Sequence, residues 1–215
     1  MRVAAEVMED GMSCKGELLT FLSDFIAENE ITKVIETGTY MGTGSTMAII
    51  EGLTRHGKEF EFHSIEVNPE HHRMATQNVP KLNGVTLHLG LSVGRGYLPD
   101  KVAFRGYPKD VIVDHQPKDR KEKYLQEVSY DVPDNVLERI IQDMTPELVP
   151  LDSAGHMGWI EYEYLMARMK GKKFYLVLDD TNHVKHYKSA KDVKSKYPII
   201  FETEDKFGGL CAEIS

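Results

Sequence analysis

Lys33-Val34-Ile35-Glu36-Thr37-Gly38-Thr39-Tyr40-Met41-Gly42-Thr43-Gly44-Ser45 is the stretch from which the fold can be read. A short β-branched run ends in an acidic residue, and three glycines follow at 38, 42 and 44. A helical pattern then opens, with Ala48, Ile49, Ile50 and Leu53 on one face before Gly57. The pattern is strand, glycine turn, helix. Glycine has no Cβ, so such a turn lets a ligand approach the backbone, and open α/β sheets bind ligands beyond the carboxyl ends of their strands. The spacing is E-x-G-x-x-x-G-x-G. It is neither the dinucleotide fingerprint G-x-G-x-x-G nor the phosphate loop G-x-x-x-x-G-K-[ST]. A carboxylate at Glu36 is a poor neighbour for a pyrophosphate and suits a ligand that brings a positive charge. An ordinary strand-to-helix turn would need no ligand.

On either side of this stretch the rhythm continues. Leu18, Leu19, Leu22, Phe25 and Ile26 recur at helical spacing within 15–30. Strands are predicted over 32–36, 60–66 and 85–89, with helices over 43–56 and 69–78, the second opened by Pro69. The rhythm breaks over 93–145. That stretch holds the apolar run Val111-Ile112-Val113, a densely charged run over 117–127 that reads as a solvated helix face, and a helical pattern at Val136, Leu137, Ile140 and Ile141. It is read as an insertion or lid. The alternation resumes with strands over 147–152 and 173–178 and helices over 158–169 and 185–196. Two final strands, 198–203 and 209–214, are close enough to pair as a hairpin. The expected architecture is an α/β, Rossmann-like doubly wound sheet of seven strands. It is mostly parallel with an antiparallel C-terminal hairpin, carries helices on both faces, and forms one domain over 1–215.

Composition narrows the function. The chain has 215 residues, 41% apolar and 28% charged, as a globular domain requires. The first thirteen residues carry Glu6, Glu9 and Asp10 and no apolar core, unlike a signal peptide, and no run reaches the length of a membrane span. Two cysteines, Cys14 and Cys211, build neither a disulfide framework nor a metal cluster, which fits a reducing cytoplasm. A net charge of −8 argues against a nucleic-acid partner. Neither a nucleic acid nor a membrane is expected as a partner, and the sequence leaves self-association open.

The opening loop resembles motif I of the class I S-adenosylmethionine (SAM) methyltransferases, above all the small-molecule O-methyltransferases of the catechol type, whose loop reads E-x-G-x-x-x-G. The resemblance covers about residues 15–215 and is weakest over 93–145. It implies that Glu36, Gly38, Thr39, Tyr40, Gly42, Gly44 and Ser45 surround the methionine part of SAM. Glu66, ending the second strand, would accept two ribose hydroxyls, as an acceptor-only carboxylate can. Gly90 and Ser92, followed by Leu98-Pro99, would flank the adenine, and Asp152 would close the pocket. Taken singly, Ser92 reads equally well as a helix cap.

Acidic residues end four of the five parallel strands: Glu36, Glu66, Asp152 and the pair Asp179-Asp180. Each alone is an ordinary cap or turn former, but together they converge on one crevice. In the metal-dependent O-methyltransferases that this chain resembles, one Asp ends strand 4 and an Asp-Asn or Asp-Asp pair ends strand 5. Asp152, Asp179 and Asp180 would then hold Mg²⁺ or another divalent cation. The metal would lower the pKa of the acceptor hydroxyl. The Asp-Asp pair looks more like the sugar O-methyltransferases of antibiotic pathways. The catechol branch has a lysine three residues after the strand-4 Asp, where this chain has Gly155. His156 therefore becomes the candidate base, with His183 and Asp152 as further catalytic candidates. His183 and His186 would share a helix face, and His71-His72 would be exposed. The function implied is methyl transfer from SAM to a hydroxyl of a small molecule. The alternatives are a metal-independent SAM enzyme using His156, or a SAM-binding module without turnover. The glycine spacing counts against a nicotinamide dehydrogenase.

Overall fold

The computed structural model describes residues 16–99, 111 and 124–215. The acidic N-terminus with Cys14, residues Ile112 and Val113 and most of the charged run lie outside the described residues. Seven strands form one sheet: β1 (Lys33–Thr37), β2 (Glu61–Glu66), β3 (Val85–Leu89), β4 (Leu148–Leu151), β5 (Phe174–Asp179), β6 (Ile199–Thr203) and β7 (Gly209–Ile214). Their order is β3-β2-β1-β4-β5-β7-β6. The first five pair in parallel and the last two antiparallel, with β7 between β5 and β6. This is the expected doubly wound sheet with its C-terminal hairpin. The chain runs outward from β1 through β2 to β3, then returns to place β4 on the other side of β1. That reversal opens a crevice at the carboxyl ends of β1 and β4.

Side-chain alternation along each strand divides the core into two layers. Val34, Leu148, Val177 and Cys211 face one side, where α1 (Glu17–Glu28) and α2 (Ser45–Arg55) pack through Leu22, Ile26, Ile49 and Leu53. Full burial of such aliphatic side chains stabilises the fold by roughly 1.5–3 kcal/mol each. α3 (Pro69–Asn78) follows β2. Its N-terminus is capped by the Asn68 side chain, which accepts from the N–H groups of Glu70 and His71. On the opposite side, Val149, Leu151, Leu176 and Leu178 meet α5 (Met157–Arg168) and α6 (Tyr187–Lys196).

The stretch expected to be an insertion is in part a wall of this core. α4 (Val136–Asp143) buries Val136, Leu137 and Ile140 against Ile35 and Ile65 of the sheet. Leu91 donates its N–H to the Pro133 carbonyl at 2.8 Å, and Val136 and Leu137 donate back to Leu91 and Ser92 at 3.0 and 2.9 Å. A crossover between parallel strands needs a helix over the sheet, and α4 supplies it between β3 and β4. Residues 124–129 are helical as well, with Tyr124 buried in the same cluster. The remaining stretches for which a lid is predicted, 100–110 and 112–123, are outside the described residues.

Candidate active site

The carboxyl ends of the parallel strands line a cleft of about 630 Å³. Gly38, Thr39, Tyr40, Gly44, Ser45, Glu66, Gly90, Ser92, Asp152, Asp179, Asp180 and His183 border it, so most of the predicted site residues are gathered there. Glu36, Gly42 and His156 are not among the lining residues.

The glycine turn is shaped largely by its own neighbours. Gly38 has φ +85°, and a Cβ there would stand 2.5 Å from the carbonyl carbon of Asp152. The ends of β1 and β4 can cross at this distance only with glycine. Gly42 has φ +72° and lies against Val79 of the segment after α3, where a Cβ would be 2.6 Å from a methyl group. Gly44 is different: among the described residues nothing stands within 4 Å of a Cβ built on it. Glu36 is wholly buried beneath the turn. It accepts from the hydroxyls of Ser45 at 2.6 Å, Thr46 at 2.7 Å and Ser64 at 2.6 Å. Its carboxylate therefore joins the start of α2 to β1 and β2, and does not face the cleft as the cationic-ligand reading requires. Burial pushes the Glu36 carboxyl above its usual range, against the pull of the three hydroxyls.

Glu66 ends β2 at the cleft. One carboxylate oxygen accepts from the Tyr40 N–H at 2.7 Å and the other from the Asn68 N–H at 2.8 Å. The first bond holds Tyr40 in a left-handed conformation, φ 51°, that a non-glycine residue adopts at a cost. The Tyr40 ring meets His71 edge-on at 4.5 Å, and His71 Nδ1 is 3.8 Å from Glu66. His71, read from sequence as exposed, thus borders the cleft. Its position comes from the fold of the Tyr40 loop over α3, which helical periodicity does not reveal.

The cleft is also lined by a residue that the sequence reading passed over. Glu161 of α5 is buried and accepts from Thr37 at 2.8 Å, from Ser153 at 2.8 Å and from Ser92. Ser92 is therefore held by Glu161, and not used as a helix cap. Burial raises the Glu161 carboxyl, and its three hydroxyl donors oppose the rise.

The other end of the cleft contains the acidic residues. Asp152, Asp179 and Asp180 can bring one oxygen each to within 4.8 Å of the others. Lys185 enters this group from the turn after β5. Its ammonium is paired directly with Asp152, lies 2.8 Å from Asp180 and 3.9 Å from Asp179, and its side chain is only 6% exposed. Burial works against the charge, but the three carboxylates more than offset it and hold the lysine above its ordinary range. Burial pushes the Asp152 carboxyl upward, with Lys185 opposing.

The histidines sit differently from the expectation. α6 starts at Tyr187, so His183 and His186 belong to the preceding turn and share no helix face. His183 borders the cleft, and its Nδ1 accepts from the Lys185 N–H at 3.3 Å. His186 is fully buried against Gly158, and burial keeps it well below its usual range. His156 stands at the N-terminus of α5, edge-on to Tyr124 at 6.0 Å, and burial lowers its pKa as well. It is not among the residues that line the cleft, so a role as base for chemistry there is not visible in this arrangement.

Neither a family model nor a curated protein matches the sequence. Solved structures do match in shape. An O-methyltransferase from Bacillus cereus in complex with SAH superposes with a TM-score of 0.57 at 13% identity, covering 99% of this chain and 87% of that one. The O-methyltransferase TomG from Streptomyces achromogenes, involved in tomaymycin synthesis and solved with SAM, gives 0.56 at 12% identity, covering 100% and 90%. At such identities the likeness establishes the fold: this chain has the seven-stranded architecture of these SAM- and SAH-bound proteins.

Proposed function

We propose that the protein is an enzyme that transfers a methyl group from SAM to a hydroxyl of a small molecule. The observation that carries this reading is the placement of Glu66 at the cleft end of β2, beside the Tyr40 loop, in a fold shared with structures that hold SAM or SAH. A ribose presents two adjacent hydroxyl donors, and the two oxygens of a carboxylate, which only accept, suit such a pair. Among the described residues the turn around Gly44 leaves space that would take the methionine part. The acceptor would lie toward Asp152 and His183. In the reaction the hydroxyl oxygen forms a bond to the methyl carbon as the carbon–sulfur bond breaks, leaving SAH and one proton. We assign that proton to Asp152, a reading supported by its position on the cleft and by burial, which raises its affinity for protons. Holding the two reactants in line contributes a large part of the rate enhancement that such a site can supply.

Mg²⁺ fits this end of the cleft by donor chemistry, since three carboxylate oxygens are its preferred ligands. It does not fit by position. The Lys185 ammonium already stands among the same oxygens, so a divalent ion would have to displace it, and no step of the reaction above passes through a metal.

Calorimetric titration with SAM, SAH and NAD tests the reading. SAM and SAH should bind at one site per chain and NAD should not. Absence of SAM binding would remove the basis for methyl transfer.

A further inference from the structure

We infer that Lys185 is the resident cation of the acidic site: its ammonium takes the place that Asp152, Asp179 and Asp180 would otherwise give to a divalent metal, and the cleft works without one. Three carboxylates brought this close repel one another unless a positive charge stands between them. The protein supplies that charge itself. Lys185 reaches Asp152 at the end of β4 and Asp180 just past β5, and so joins two strand ends that come from separate crossovers. Its side chain is nearly sealed from solvent, which distinguishes it from a surface lysine that happens to meet a carboxylate.

The turn that carries it is fixed at both ends. Thr181 and Asn182 donate their N–H groups to the carbonyls of Gly208 and Phe207 at 3.1 and 2.8 Å. A Cβ on Gly158 would come within 2.7 Å of the lysine stem, so α5 closes over it. An ion bound to the same oxygens would sit within about 5 Å of Nζ, at Mg²⁺–O distances near 2.1 Å. Two positive charges at that separation repel strongly inside a protein. Lysine and metal are therefore alternatives. Lys185 is a positioning residue here: it sets where Asp152 and Asp180 point and denies the cluster to metal.

The inference does not depend on methyl transfer, because metal binding can be read without donor or acceptor. EDTA-treated wild type and Lys185→Ala are titrated with Mn²⁺, with bound ion counted by electron paramagnetic resonance. Wild type should show no saturable site. Lys185→Ala should gain one Mn²⁺ per chain, at least tenfold tighter than any binding by wild type, that Mg²⁺ displaces and that Asp180→Asn removes again. A merely structural role for the lysine would produce no such gain. Where Lys185→Ala does not fold, Lys185→Met keeps the buried stem and takes its place, and the wild-type titration still decides. One Mn²⁺ bound per chain of wild type and lost in Asp180→Asn would overturn the inference. So would a folded lysine variant that acquires no site.

Discussion

Thr37 and Glu161 stand 124 residues apart in the chain, and the hydroxyl of one donates to the carboxylate of the other at 2.8 Å. Through the same carboxylate Glu161 also holds Ser92 and Ser153. The end of β1 and the segments following β3 and β4 are thereby gathered onto one side chain of α5 at the cleft.

Glu161→Ala should leave three hydroxyls without their acceptor. Hydrogen bonds to a charged group contribute about 1.5–3 kcal/mol, and stranded buried donors add a penalty, so a loss of about 3 kcal/mol in unfolding free energy is expected. Glu161→Gln should lose less, because its amide oxygen still accepts. Urea denaturation of the two variants measures both, and wild-type stability in Glu161→Ala would show that the cluster contributes nothing.

The two glycines of the turn should separate packing from binding. Gly38→Ala places a Cβ against the Asp152 backbone at a positive φ, so it should destabilise the fold by more than about 2 kcal/mol. Gly44→Ala meets no described residue within 4 Å and should disturb the fold less than Gly38→Ala while weakening SAM. Thermal melts with and without SAM distinguish them. If Gly44→Ala bound SAM as tightly as wild type, the turn would have no part in the donor site.

Glu66→Ala should weaken SAM by about tenfold or more, since each ribose hydroxyl bond to a carboxylate is worth about 1.5–3 kcal/mol. Part of the loss would come from Tyr40, whose strained backbone relies on the same carboxylate. Tyr40→Gly removes that strain and the Tyr40–His71 contact together. It should therefore affect affinity less than Glu66→Ala does. Calorimetry with SAM orders the two, and the reverse order would place the adenosine elsewhere.

Stability should depend on His88 in mildly acidic solution. Its Nε2 lies 2.8 Å from Nδ1 of His63. Burial, then the charges of His63, Arg139 and His72, lower its pKa from 6.5 to about 4. A group with a depressed folded pKa contributes stability that is complete above its unfolded value and is lost as pH falls. The contribution of His88 should thus be present above pH 6.5 and disappear toward pH 4, an effect on the order of 2 kcal/mol for a half-buried ring. Denaturation at pH 7 and at pH 4.5 should show a smaller pH difference in His88→Gln than in wild type. An equal difference would mean that His88 titrates normally in the folded protein.

Strand and helix order was legible because the two periods were clean: Val34 and Ile35 alternate between core layers, and Asn68-Pro69 opens α3 with a cap. The acidic strand ends were legible for the same reason, since a parallel sheet carries them all to one edge. What sequence could not give is which partner each charge finds. Glu36 looked like a ligand group and is enclosed by three hydroxyls that only folding brings to it. Lys185 gave no signal, because a lysine in a polar turn defaults to solvent and its carboxylate partner on β4 lies 33 positions away. The structure also puts a lysine where the sequence reading put Mg²⁺.

The reversal of strand order at β1 has a bearing on how such a protein can diversify. Most of the described residues that line the cleft fall in two lengths of chain, 38–92 with Glu66 and 150–208 with Lys185. The two lengths of chain do not interleave. Heritable change in one can accumulate without rewriting the other, and a single crossover between them would exchange a whole wall at once. Glu161 sets the limit on that freedom. It belongs to the second length but grips Thr37 and Ser92 near the first, so a recombinant must bring hydroxyls to those two positions to inherit an intact floor.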